Sequence, residues 1–292
     1  MGIRPVVHNY SGGFWVSAKK YYIKTIKDYG VTRYIAEFIN TLTNLVYVIY
    51  AIYGIRKLYM QQNPKANAFR TIPYWGLMTV GICSAAFHMS LKYHTQMMDD
   101  LSMLFTTTPV LHRVLTVNSS LKTSIIMAVV LGTSLMALVV YHVIADELIV
   151  HSLSFVLSIA VIGIRTIQLI NVRTVEGSAA RREIWGVVRF GAVIFHMGYA
   201  VWIFDGWACL SLRSTRHSIG LPWAFFLELH GWWHIFTGIG AYIFIAVIDH
   251  LASGEDGPHV DMYLAWPAPW ASRSIFAGRL NTLPANVDKK RE

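Results

Sequence analysis

The sequence predicts an all-α integral membrane protein, a bundle of seven transmembrane helices with a metal site inside it. Three observations lead there. Of 292 residues, 54% are hydrophobic and only 14% charged, against about 25% charged in an ordinary soluble domain, and the mean hydropathy is +0.44. The apolar residues gather into seven segments of span length separated by short polar links. Histidines, a serine and carboxylates then fall inside or at the ends of those segments, where an unpartnered polar group is expensive. The composition excludes a disordered chain. It also turns the net charge of +9 away from nucleic acid, because the basic residues sit mostly in links and tails, where they set orientation and meet anionic lipid. Two cysteines, Cys83 and Cys209, exclude a disulfide framework and a cysteine-rich metal site.

Residues 1–33 are polar, basic and aromatic, without the continuous apolar core of a signal peptide, and read as an extramembrane arm. Span 1 is expected over 34–56 and carries Glu37, Asn40 and Asn44 near its start. Span 2 covers 71–91, with Pro73 suited to its first turn. Span 3, 98–117, is interrupted by His112 and Arg113. Span 4, ending at Ala145, has no charge from Thr123 onward, and span 5 covers 148–170. Span 6 covers 184–206, a link 207–220 follows, and span 7 covers 221–248. Residues 34–248 thus form the membrane domain and 249–292 a tail. Seven spans put the termini on opposite sides. The links after spans 1, 3 and 5 and the tail hold more Lys and Arg than the opposite set, which favours a cytosolic C-terminus. Asn9-Tyr10-Ser11 is then a glycosylation sequon on the outer side.

The chemistry concentrates in two stretches. In LELHGWWHIFTGIG, His230 and His234 are four apart and project from one helical face. The glutamate of a HExxH protease is absent, since Gly231 follows His230, so a third ligand must come from elsewhere. His88, at comparable depth in its own span, is the candidate. Three neutral imidazoles would leave a tetrahedral zinc one open position. In GICSAAFHMSLKYHTQMMDDLSM, Ser84 stands one turn before His88. Ser84 either bonds its own helix, as intramembrane serines usually do, or donates to an oxyanion. Asp99 either caps a helix at the membrane boundary or acts as general base and acid. Asp100 competes for either role, and spacing alone does not choose between them. His142, His151 and His196 read as structural. Glu37, Asp205 and Glu228 are further ionisable groups in or beside spans.

Four blocks, YIAEFINTLTN at 34–44, SAAFHMSLKYHTQMMDDLSM at 84–103, WIFDGWAC at 202–209 and LHGWWHIFTGIGAY at 229–242, resemble the alkaline ceramidases, integral-membrane amidases. The resemblance implies seven spans with a lumenal N-terminus and cytosolic C-terminus in endoplasmic reticulum or Golgi. It implies zinc on His88, His230 and His234, an oxyanion-side serine at Ser84 and a catalytic aspartate at Asp99. The implied reaction is hydrolysis of ceramide, or its dihydro or phyto forms, to a sphingoid base and a fatty acid. One departure stands out. The family's acidic calcium-binding loop corresponds here to YYIKTIKDYG, residues 21–30. Only Asp28 and Glu37 match its ligand positions, and Thr25 stands where a cysteine would pair with the Cys209 region. Calcium prefers six to eight oxygen ligands, so calcium is expected to bind weakly or not at all. The competing readings are a seven-span receptor of the progestin and adipoQ type, or a catalytically divergent homologue that binds a lipid.

Overall fold

The computed structural model describes residues 31–60, 69–146, 148–253 and 264–276. Among them the chain is helical: α1 (Phe38–Thr43), α2 (Leu45–Tyr59), α3 (Ile72–Ser90), α4 (Tyr93–Thr116), α5 (Leu121–Ala145), α6 (Ile149–Arg173), α7 (Ala179–Ile219), a 3-10 turn (Trp223–Leu227), α8 (Leu229–Ser253) and a short α9 (Ala268–Ala271). Among the described residues, five segments are long and apolar enough to cross a membrane: Phe38–Tyr59, Leu121–Ala145, Ile149–Arg173, Ala179–Ile219 and Leu229–Ser253. Short connections make successive helices antiparallel neighbours. The starts of α1, α4, α6 and α8 therefore share one end of the bundle with the finishes of α3, α5 and α7.

That end is built by local chemistry. Asn44 is fully buried and its Nδ2 donates to Asn40 O at 2.8 Å, which interrupts the helix between α1 and α2. Gly81 of α3 lies against this interruption. A Cβ there would stand 2.8 Å from Asn44 O and 2.9 Å from Tyr47 Cβ, so only glycine lets α3 come this close. At its end α3 leaves carbonyls without intrahelical partners. Ala36 N donates to Met89 O and Glu37 N to His88 O, both at 3.1 Å. The strip before α1 is thereby fastened to the end of α3.

The core runs along α8. Tyr242 is fully buried, 4.9 Å between ring centroids from Tyr50, and its hydroxyl accepts from Ala265 N at 3.0 Å. Residues from the start of the tail thus return to the bundle, with Leu264, Ala265, Ala268 and Ala271 buried. Beside them Arg70 clasps Asp249 through two nitrogens, Nε at 2.9 Å and a terminal nitrogen at 2.7 Å, and Arg113 approaches the same carboxylate at 3.6 Å.

Two sequence expectations need correction. Span 7, read over 221–248, begins as a helix only at Leu229, because the cap at Glu228 separates it from the 3-10 turn Trp223–Leu227, and it runs on to Ser253. Residues 207–220, read as a link, continue α7 to Ile219, giving a helix of 41 residues. At 1.5 Å per residue it is roughly 60 Å long, about twice a bilayer core. Arg213 and Arg216 mark where it leaves apolar surroundings, and a charge does not end a helix. Gly220, at φ +65°, does.

Candidate metal centre

His88 stands in the last turn of α3, and His230 and His234 in the first two turns of α8. The three imidazoles converge, with ring centroids 4.8–4.9 Å apart pairwise. One ligand nitrogen from each lies within 4.8 Å of the others. His88 and His234 are each 2% exposed. Gly231, between the two α8 histidines, lets that helix approach α1: a Cβ would be 2.9 Å from Ile39 and 3.3 Å from Thr43.

The outward nitrogens are held. His88 Nδ1 is 2.6 Å from Glu37 Oε2, which also accepts from Asn40 Nδ2 at 3.1 Å. His234 Nδ1 is 2.9 Å from Thr43 Oγ1. The Asn40 main-chain carbonyl also bonds this ring and can only accept, so His234 carries its hydrogen on that side and Thr43, whose own hydroxyl hydrogen can go to Ile39 O at 2.9 Å, accepts from it. A carboxylate likewise accepts from His88 Nδ1–H. Both rings therefore carry their proton on Nδ1 and turn the Nε2 lone pair inward. His88 Nε2 is buried and has no hydrogen-bond partner among the described residues. A buried, orphaned lone pair facing two further imidazoles, with the opposite nitrogen anchored by a carboxylate or hydroxyl, is how a metal-binding histidine is prepared. The three residues fit a metal ion.

The remaining candidates fall into place around this centre. Ser84, 3% exposed, lies one turn from His88 with its side chain in hydrogen-bonding reach of the Asp99 carboxylate, and His88 is near enough to act on that carboxylate's charge. Asp100 turns away. Its carboxylate lies 3.4 Å from His142 Nε2 and its main-chain carbonyl accepts from His151 Nε2 at 2.8 Å. Asp205 feels the charges of Arg216 and Glu37, and Arg216 bonds Glu228 at 2.6 Å. Asp28 lies outside the described residues. Glu37, its companion in the degenerate calcium loop, has Oε2 committed to His88 and Asn40.

Two neighbours were missed from sequence. Thr43 holds His234, and Tyr47 sits edge-on to the same ring at 6.4 Å while its hydroxyl pairs with Thr237 Oγ1 at 2.6 Å. The available signal was spacing. Glu37, Asn40 and Asn44 recur on one face of an otherwise apolar segment, which says that this face meets polar groups but not which ones.

A protein-family model described as Ceramidase matches residues 27–275. This chain is a member of the ceramidase family. Curated relatives agree. The alkaline ceramidase YPC1 of Saccharomyces cerevisiae is 33% identical over 238 residues, 77% of this chain and 74% of that protein. Alkaline ceramidase 3 of Mus musculus is 26% identical over 222 residues, 75% of this chain and 79% of its own length. The putative alkaline ceramidase dcd3A of Dictyostelium discoideum is 25% identical over 245 residues, 74% of this chain and 81% of its own. The matched region of this ceramidase-family chain includes every residue of the histidine cluster, together with Ser84 and Asp99.

Proposed function

We propose that the protein hydrolyses the amide of ceramide-type lipids, dihydro- or phytoceramide included, to a sphingoid base and a fatty acid, using zinc on His88, His230 and His234. The observation that carries this is the meeting, in a ceramidase-family chain, of an inward-facing histidine triad with the adjoining Ser84–Asp99 pair. A bound zinc would supply Lewis acidity toward the amide carbonyl and an acidified water at neutral pH. The chain's own residues do the rest. Glu37 and Thr43 fix the tautomers of His88 and His234. Ser84 Oγ–H donates to the carbonyl oxygen as negative charge develops. Asp99 accepts the water's proton and returns it to the departing nitrogen.

In this reading α3 and α4 join the five apolar segments to make seven spans. Ser84, His88, Asp100, Ser102 and Thr107 are buried among other helices, so their polarity is not presented to lipid. The N-terminus is lumenal and the C-terminus cytosolic, in endoplasmic reticulum or Golgi membranes. Calcium is not required, because Asp28 and Glu37 alone are too few ligands and Glu37 serves His88.

The test is release of sphingoid base from a panel of ceramides by detergent-purified protein, with His234→Ala beside it and zinc content measured for both. Release by the wild type and none by a folded His234→Ala protein is expected. No release by a wild type that holds zinc would overturn the amidase reading and favour a homologue that binds a lipid without cutting it.

A further inference from the structure

Asp100 is 7% exposed, and two imidazoles reach it from different helices: His142 in the closing turn of α5, 2% exposed, and His151 in the opening turn of α6, 3% exposed. The rings lie 4.9 Å apart, tilted by 35°. A carbonyl oxygen only accepts, so His151 Nε2–H donates to Asp100 O at 2.8 Å; His142 Nε2 lies 3.4 Å from Oδ2 of the same residue. One contact grips the main chain and the other the side chain.

We propose that His142 and His151 are positioning residues for the hydrolytic reaction: by latching Asp100 to α5 and α6 they set the rotation of α4, and with it the placement of the Asp99 carboxylate toward Ser84 and the histidine cluster. This rests on the role given to Asp99 above. Successive helical residues point about 100° apart, so one helix turns Asp99 to α3 and Asp100 to α5 and α6. The first turn of α4 is held by a Ser90–Thr95 hydroxyl pair at 2.9 Å and by Tyr93 OH on Val143 O at 3.4 Å, but neither bond touches the turn that carries Asp99 and Asp100. The N-cap residue of α4, Lys92, makes no side-chain capping bond, and Leu91 before it is left-handed, at φ +49°. A carboxylate stands roughly 6 Å from its helix axis, so a 10° turn moves it about 1 Å. A misplacement of that size costs on the order of a hundredfold in rate.

The experiment uses the full-length protein in detergent. In His151→Ala, kcat for sphingoid-base release should fall roughly 10- to 100-fold, with KM little changed and zinc stoichiometry intact. His151→Gln, whose amide donates to the same carbonyl, should recover most of the loss. Introduced into Asp99→Glu, which keeps a carboxylate in an already altered position, His151→Ala should cost less than about threefold, because the two changes act on one quantity. An undiminished kcat in His151→Ala, an equal loss in both backgrounds, or loss of zinc would each overturn the proposal. Hydrogen exchange of the amides of residues 96–102, measured without substrate, separates this idea from the amidase reading. If the wild type releases nothing, the amidase reading falls, yet faster exchange confined to those turns in His151→Ala still upholds the latch and unchanged exchange rejects it.

Discussion

Thr43→Val tests the tautomer argument with almost no change of shape. Thr43 Oγ1 lies 2.9 Å from His234 Nδ1, and its own hydrogen is spent on Ile39 O. Valine preserves the branched outline and removes only the acceptor. His234 is 2% exposed, so bulk water does not replace it. The ring keeps its bond to the Asn40 main-chain carbonyl, so the change removes one of two acceptors; a net hydrogen bond is worth about 0.5–1.5 kcal/mol, and at about 1.4 kcal/mol per factor of ten this is roughly a 2- to 12-fold loss of zinc affinity. The range sits at the lower edge of the 10- to 100-fold loss typical when a metal-bound histidine loses its outer partner altogether, because Asn40 still holds the ring. The assay is competition for zinc against a chromophoric chelator, with thermal unfolding in excess zinc to confirm folding. Thr43→Ser should bind zinc within a few-fold of the wild type. Equal zinc affinity in Thr43→Val and wild type would falsify the assignment of Thr43 as the acceptor for His234.

Glu37→Gln keeps an oxygen that can accept from His88 Nδ1–H but removes the charge, so kcat/KM should fall about tenfold with zinc still bound; a loss as deep as that of His88→Ala would mean that Glu37 does more than orient the ring. Gly231→Ala inserts a methyl 2.9 Å from Ile39 Cγ2 and should destabilise by about 1–3 kcal/mol while lowering zinc occupancy; differential scanning of the purified protein and metal analysis read both, and an unchanged pair of values would refute the close approach of α8 to α1. Asp249→Asn leaves Arg70 buried without its carboxylate and should cost about 3 kcal/mol of stability in thermal unfolding, with turnover well below the melting temperature unaltered because the pair is remote from the histidines.

How much of the site was legible depended on the range of the contact that makes it. His230 and His234 declare themselves by a spacing of four, and His88 by being an imidazole in an apolar run. Asp99 and Asp100 could not be separated, since which neighbour faces Ser84 depends on how α4 is rotated against three other helices. The contact of Glu37 with His88 was not legible, because it follows from backbone pairing of residues 36–37 with 88–89, some fifty positions away. Thr43 was invisible for a different reason: a span threonine ordinarily bonds its own helix, and this one does so while also accepting from His234. In the fold, most apolar segments were legible to within about five residues because burial in lipid demands length and apolarity; the start of span 7 was not, since the apolar 3-10 turn Trp223–Leu227 precedes its helix. The extension of α7 to Ile219 was not, since a helix outside the membrane needs neither.

The histidine cluster lies within about two turns of the helix ends: the last turn of α3, the first turns of α8 and the strip before α1. For a seven-span bundle this is the level of the headgroup boundary rather than the bilayer midplane. A ceramide already rests with its amide near that level and its tails below it, so the membrane presents the scissile bond at the right height before any protein contact forms. The relevant concentration is then two-dimensional. Turnover should follow the mole fraction of ceramide in the bilayer or micelle, and dilution with inert phospholipid at fixed total ceramide should slow the reaction as a cut in substrate would. Products of different polarity would leave sideways along the same boundary.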